Sequence, residues 1–360
     1  MKRSALALFG AEWFGAPIAT LALAQVYILA YGLDGARAYR DVAEVFFLLG
    51  VLLFIVLFGL WALRAVLLKA AALSHWDNLT RMSFTALIPI IGFVANYQAI
   101  YFFGLSPASA EFSLVNFYLE YSVALGLGVV LGYRLYTKEI HPREINYAII
   151  IPPLSIGTSV FLATPLAQYY GAGQGATIGF LVLMGFGIFF LLYVVIGALA
   201  LSGHVTTKSH ETLPTTMLPV GVASLTILNL FALPYLGSFI HADLALSGVY
   251  LLSVMFWGFE IWNFLVVAVI IVTRSAWGTL GSWAYGFPLG LFATSTLRLA
   301  QYSGLEPLRG VFWFAMVAIT VLWAYAAVNT YVFTRTKLRP ARETPTNSPG
   351  RGSSTPKPET

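Results

Sequence analysis

Cysteine is absent from the 360 residues. Disulfides, thiolate metal sites and thiol redox chemistry are therefore excluded. Charge is scarce: Asp, Glu, Lys and Arg make up 10% of the chain, against about 25% in a typical soluble domain. No G-x-x-x-x-G-K-[ST] loop occurs, so ATP-driven transport has no support. The five histidines (His75, His141, His204, His210 and His241) all fall between the apolar runs. No carboxylate–histidine cluster stands inside one, so neither a metal nor any other cofactor is expected. Membrane enzymes usually gather paired acids, histidines or a metal near one face, and the chain shows no such set. No enzymatic role is expected.

What the chain does have is apolar surface, at 59% of residues. A soluble fold of this length cannot hide that much, so lipid is the solvent for most of it. Apolar runs fall at about 11–32, 43–68, 83–104, 112–136, 146–170, 175–201, 214–238, 244–272, 279–301 and 308–334. The first run is too long for a signal-peptide core and contains Glu12 and Pro17, so it reads as a span. Residues 1–335 thus form a ten-span membrane domain. The segment 336–360, rich in Pro, Ser, Thr and Arg, reads as a disordered cytoplasmic tail.

Ten spans divide the 20 Lys and Arg between the two membrane sides as 16 and 4. The minority side holds Arg37, Arg40, Arg298 and Arg309. Positive residues stay inside, so both termini are expected in the cytoplasm of a plasma-membrane protein. The net charge of +5 thereby reflects topology, and no nucleic-acid partner is expected. Asn78-Leu79-Thr80 has the form of a glycosylation acceptor but falls on the inner side.

Proline marks the odd spans. Pro17, Pro89, Pro153, Pro219 and Pro288 are separated by 72, 64, 66 and 69 residues, the period of one helical hairpin. A two-span repeat returns the chain to the same side, so five such hairpins are parallel repeats, related by rotation about the membrane normal. Proline removes a backbone hydrogen bond and kinks a helix. In lipid the freed carbonyl needs a partner or water, which places the odd helices inside and the even ones outside. Ser, Thr, Asn and Gln also favour the odd spans. The expected fold is an all-α membrane protein in quasi-fivefold arrangement. Thr20, Asn96, Thr158, Ser159, Ser224, Pro288 and Thr294 are candidates to line a central pore. The same polar groups can instead join helices to one another.

Span 9 reads Ser282-Trp283-Ala284-Tyr285-Gly286-Phe287-Pro288-Leu289-Gly290, followed by Ala293-Thr294; Trp13-Phe14-Gly15 opens span 1 and Ile151-Pro152-Pro153 opens span 5. In this order the segments resemble the tellurite-resistance/dicarboxylate transporter family, which includes slow-type anion channels and fungal malic-acid transporters. The match covers roughly residues 10–335. It departs at Ala16-Pro17-Ile18-Ala19, where relatives often carry a glycine-rich segment. The resemblance implies movement of small anions (monovalent ions, C4-dicarboxylates such as malate, or oxyanions) through a pore in each subunit of a homotrimer. It implies Phe287 as the pore plug and a facing wall near Val160 or Phe161. Phe292 is the alternative plug.

Arg298 offers an electropositive vestibule, or else snorkels to the interface or pairs with Glu306. Glu120 and Glu260 lie deep in even spans. They bond to neighbouring helices or, facing a cavity, suit a proton- or cation-coupled carrier.

Overall fold

A computed structural model describes residues 6–141, 144–206, 213–242, 244–274 and 280–338. The tail beyond 338 lies outside the described residues, as do Lys2, Arg3, Arg143, Lys208 and His210. The described residues are helical with no strand. Among the described residues nine stretches are long and apolar enough to cross a membrane: Ala11–Asp34, Arg37–Leu67, Leu79–Phe103, Pro107–Thr137, Tyr147–Tyr170, Ala172–Gly203, Leu213–Ser238, Leu246–Arg274 and Glu306–Thr336. The expected ninth span is also helical but falls short in apolar content, because Thr294, Ser295, Thr296, Arg298 and Gln301 stand in it. Most of it is buried. A helix wrapped by protein does not need a lipid-compatible surface.

The helices are α1 (Gly15–Asp34), α2 (Arg37–Leu67), α3 (Lys69–Asp77), α4 (Leu79–Phe84), α5 (Leu87–Phe103), α6 (Pro107–Thr137), α7 (Ile151–Gly157), α8 (Val160–Tyr170), α9 (Ala172–Thr206), α10 (Leu218–Ser238), α11 (Leu246–Arg274), α12 (Gly286–Ser303) and α13 (Glu306–Leu338). Burial separates them into two sets. The windows ending in α1, α8 and α10 are 72%, 83% and 83% buried, and that of α5 is 44%. Those of α2, α6, α9, α11 and α13 are 17–39% buried. The inner contacts run in a cycle: α1 touches α5, α5 touches α7 and α8, these touch α10, α10 touches α12, and α12 returns to α1. Each outer helix covers a seam. For example, α2 packs on α1 and α5, and α13 packs on α12 and α1.

Close approach at the α12–α1 seam depends on glycine. A Cβ at Gly290 would fall 2.7 Å from the Ala22 Cβ, and one at Gly286 would fall 2.5 Å from the Ala19 Cβ. Small residues let backbones meet where no hydrophobic force drives helices together in lipid.

The prolines act differently from the kinks expected of them. Pro17, Pro89, Pro153 and Pro288 are third residues of α1, α5, α7 and α12, and Pro219 is the second residue of α10. A first-turn N–H has no intrahelical acceptor, so proline there starts a helix without breaking one. Short turns at Ala11–Phe14, Leu79–Phe84, Tyr147–Ile150, Leu213–Met217 and Leu280–Tyr285 precede the five inner helices. The fifth span alone is broken again, at Thr158 and Ser159 between α7 and α8, and Pro165 and Pro234 stand in helix interiors.

At the far end of each inner helix one residue takes a positive φ: Gly35 (72°), Gly104 (76°), Gly171 (63°), His241 (60°) and Gly304 (70°). They lie 69, 67, 70 and 63 residues apart. A spacing of 63–72 residues is therefore marked twice, by proline where an inner helix begins and by a positive-φ residue beyond its end.

Candidate functional site

Two cavities lie at opposite ends of the inner helices. The near one, of about 450 Å³, sits where these helices begin, and Ile18, Leu87, Ile151, Leu218, Phe287 and Pro288 line it. The far one, of about 630 Å³, is lined by Gln25, Tyr97, Val160, Phe161, Thr164, Gln168, Phe231, Thr294, Arg298 and Gln301. Each cavity touches all five inner spans, and the two share no residue. The linings are separated by seven positions on α1 (Ile18 to Gln25), six on α12 (Pro288 to Thr294) and ten on α5 and α10. At 1.5 Å per residue the closed stretch is about 10–15 Å long. Over this stretch the inner helices carry buried apolar residues such as Ile91, Val222 and Leu291.

Sequence-predicted residues divide between these cavities and the helix seams. Val160, Phe161, Thr294 and Arg298 line the far cavity; Phe287 and Pro288 line the near one. Phe287 is 5% exposed, at the edge of the closed stretch. Thr20, Asn96, Thr158, Ser159 and Ser224 line neither cavity. Thr20 donates to the Ala16 carbonyl at 2.8 Å and accepts from the Trp323 indole of α13 at 2.9 Å. Asn96 accepts from Ser113 of α6 at 2.9 Å. Thr158 donates to the Leu154 carbonyl at 2.8 Å, and Ser159 is buried at the α7–α8 break. Ser224 faces Glu260 of α11. These hydroxyls and amides join helices or close onto the preceding turn, the alternative the sequence left open.

Phe292, the alternative plug, is directed away from the cavities. Its ring stacks on Phe264 of α11 at 5.2 Å and 7°. The two deep acids also lie in seams. Glu260 is fully buried, and its Oε1 accepts from Ser224 of α10 and, at 2.9 Å, from Ser295 of α12. Glu120 packs its carboxylate against Gly92 of α5. Neither reaches a cavity.

Arg298 is the exposed residue in a buried stretch of α12. Its guanidinium stands 5.7 Å from the Phe231 ring centre. The pairing with Glu306 does not form, because Glu306 pairs with Arg309 at 2.9 Å. Among the described residues no acid lines the far cavity and none forms an ion pair with Arg298. Its positive charge is offset only by the ring face, so the cavity is electropositive.

Sequence reasoning missed Tyr97, Gln168, Phe231 and Gln301. A signal was present. The lining residues on α12 (294, 297, 298, 301), α8 (161, 164, 165, 168) and α10 (228, 231, 232, 235) follow one i, i+3, i+4, i+7 stripe. Extending that stripe from Arg298 reaches Thr294 and Gln301 directly.

Two comparisons bear on this architecture. An uncharacterized transporter of Methanocaldococcus jannaschii is 23% identical over 313 residues, covering 83% of this chain and 86% of the relative. The family model described as voltage-dependent anion channel, SLAC1, matches residues 8–331, which take in all five inner spans and both cavities. This multi-pass membrane protein therefore belongs to the SLAC1, voltage-dependent anion channel, family.

Proposed function

We propose that the chain forms an anion channel or channel-like transporter, with ten membrane-crossing helices arranged as five parallel hairpins around a central pore. Arg298 carries this reading. An arginine without an acidic partner, facing a cavity ringed by all five inner spans, raises the local concentration of anions and repels cations. The near cavity faces the cytoplasm and the far one the outside, following the distribution of Lys and Arg.

Phe287 closes the near end of the pore, and the closed stretch begins at its side chain. An apolar constriction stops ions because stripping their water costs several kcal/mol at low dielectric. Small inorganic anions, oxyanions or C4-dicarboxylates such as malate are the permeant class. The subunits assemble as homotrimers in the plasma membrane, each with its own pore, as the resemblance to the tellurite-resistance/dicarboxylate family implies. A carrier coupled to protons or cations through Glu120 or Glu260 is disfavoured, because both acids sit in helix seams.

Anion flux from proteoliposomes tests the reading. Phe287→Ala is expected to raise chloride or nitrate efflux by at least an order of magnitude, since each 1.4 kcal/mol off the barrier gives about tenfold. A folded Phe287→Ala protein with parental flux would remove the gate assignment.

A further inference from the structure

A third and smaller cavity, of about 80 Å³, lies outside the inner ring. It is enclosed by the end of α2, by α3, by Met82 of α4 with the following Thr85, and by Ala11 of the first turn. Arg64 of α2 is 3% exposed there. One arm of its guanidinium is fixed, Nη2 donating to the Ala71 carbonyl at 3.0 Å, while the buried Nε has no partner among the described residues. His75 of α3 lines the same space, and its Nδ1 is also buried without a partner. Trp61 and Trp76 form two of the walls.

No carboxylate lines this cavity. Glu12 is the acid that acts on Arg64, but it lies outside this cavity, among the residues of the near one, with its carboxylate packed against Gly10; Arg81 adds a second positive charge. Asp77, on α3 itself, is paired with Arg134 at 4.0 Å. A buried guanidinium with a donor left unmade carries a large desolvation cost unless something accepts from it. Two nitrogen groups thus converge on a space lined by no carboxylate, with Thr85 the one hydroxyl residue in its lining, and its volume holds about two waters at ~30 Å³ each.

We propose that this cavity binds one small monovalent anion, of halide or nitrate size, held by Arg64 and His75 beside the conduction route. Burial, followed by the fields of Arg64 and Arg81, pushes the His75 imidazole down to about 4, so at neutral pH it is uncharged and donates through one tautomer. Arg64 supplies the charge and the walls supply the size limit. The site does not depend on Phe287 or Arg298, so it stands whether or not the gate assignment does. Its position suits control of the pore mouth, because Ala11 lines it while the adjacent Glu12 lines the near pore cavity.

Bromide quenches tryptophan on contact, and two of the nine tryptophans border this site. The full-length protein in lipid nanodiscs is titrated with sodium bromide against sodium gluconate at fixed ionic strength. A saturable quenching component is expected above the linear background, and Trp76→Phe should reduce its amplitude. Arg64→Gln should weaken its apparent Kd about tenfold or more, the loss of one charge-assisted hydrogen bond. His75→Gln should weaken it several-fold and decides the matter if Arg64→Gln does not fold. Arg298→Gln should leave it unchanged, which separates this site from the pore. Purely linear quenching would overturn the proposal and leave the cavity to water. Saturable quenching unaffected by both Trp76→Phe and His75→Gln would place the bromide elsewhere and overturn it equally.

Discussion

Two phenylalanines five positions apart on one helix have opposite surroundings. Phe287 borders a cavity; Phe292 is buried face to face on Phe264. Their alanine variants should therefore separate function from stability. Phe292→Ala should cost about 3–5 kcal/mol through the lost ring and the void it leaves, with no gain in flux. Thermal unfolding in detergent, run beside the flux assay, would show both. Arg298 makes a complementary case. Arg298→Gln removes the positive charge of the far cavity with little loss of packing, because that side chain is exposed. Anion flux through the Phe287→Ala background should fall about tenfold, for an electrostatic contribution near 1.4 kcal/mol. An unchanged flux would show that the arginine plays no part in permeation.

His75 supplies a pH dependence. Its folded-state pKa is lowered from 6.5 to about 4, chiefly by burial and then by Arg64 and Arg81. The folded protein thus binds fewer protons at this position than the unfolded chain does. The stability this confers is present above pH 6.5 and is lost as pH falls towards 4. In gluconate buffer, which leaves the small cavity without halide, the unfolding temperature of the parent should drop more steeply from pH 7 to pH 5 than that of His75→Gln. Parallel curves would contradict the assignment.

Among the helices, the repeat was legible in the sequence because it depends on backbone chemistry. Proline at the start of an inner helix needs no tertiary context to be recognised, whereas the positive-φ residues at the returns, four glycines and His241, went unread. The role given to proline was less legible: spacing locates Pro17 or Pro288 but does not distinguish the first turn of a helix from its interior. Which polar side chains face the cavities was also hidden. Thr20, Asn96 and Ser224 bond to carbonyls or to outer helices, and only the packed structure reveals those partners. Thr294 and Arg298 were accessible from sequence as a polar group and a cation within a proline-bearing span, whereas Tyr97 and Phe231 are ordinary aromatics until the lining stripe is drawn on their own helices.

The turns yield an element-scale prediction. Gly104 combines φ 76° with ψ 177°, a region essentially restricted to glycine, while Gly35 (φ 72°, ψ −1°) is left-handed helical. Gly104→Ala should destabilise by about 1–3 kcal/mol, and Gly35→Asn by less, since asparagine tolerates that conformation. Equal losses in thermal unfolding would show that the conformations do not set the turns.

For the molecule as a whole, topology and pathway are linked. In the proposed orientation Arg37 and Glu306 lie outside and the chain ends inside. The parent has no cysteine, so single cysteines at 37 and 350 can be probed in intact cells with an impermeant thiol reagent. Labelling is expected at 37 and not at 350. The reverse pattern would invert the two cavities, placing Arg298 in the cytoplasm and Phe287 at the outer mouth.

The central claim is that anions cross between the two cavities along the inner helices, past Phe287 and Arg298. The most direct test is the reversal potential of Phe287→Ala reconstituted in planar bilayers under a potassium chloride gradient. The account predicts a current larger than that of the parent, reversing close to the chloride equilibrium potential. A reversal close to the potassium equilibrium potential would contradict it.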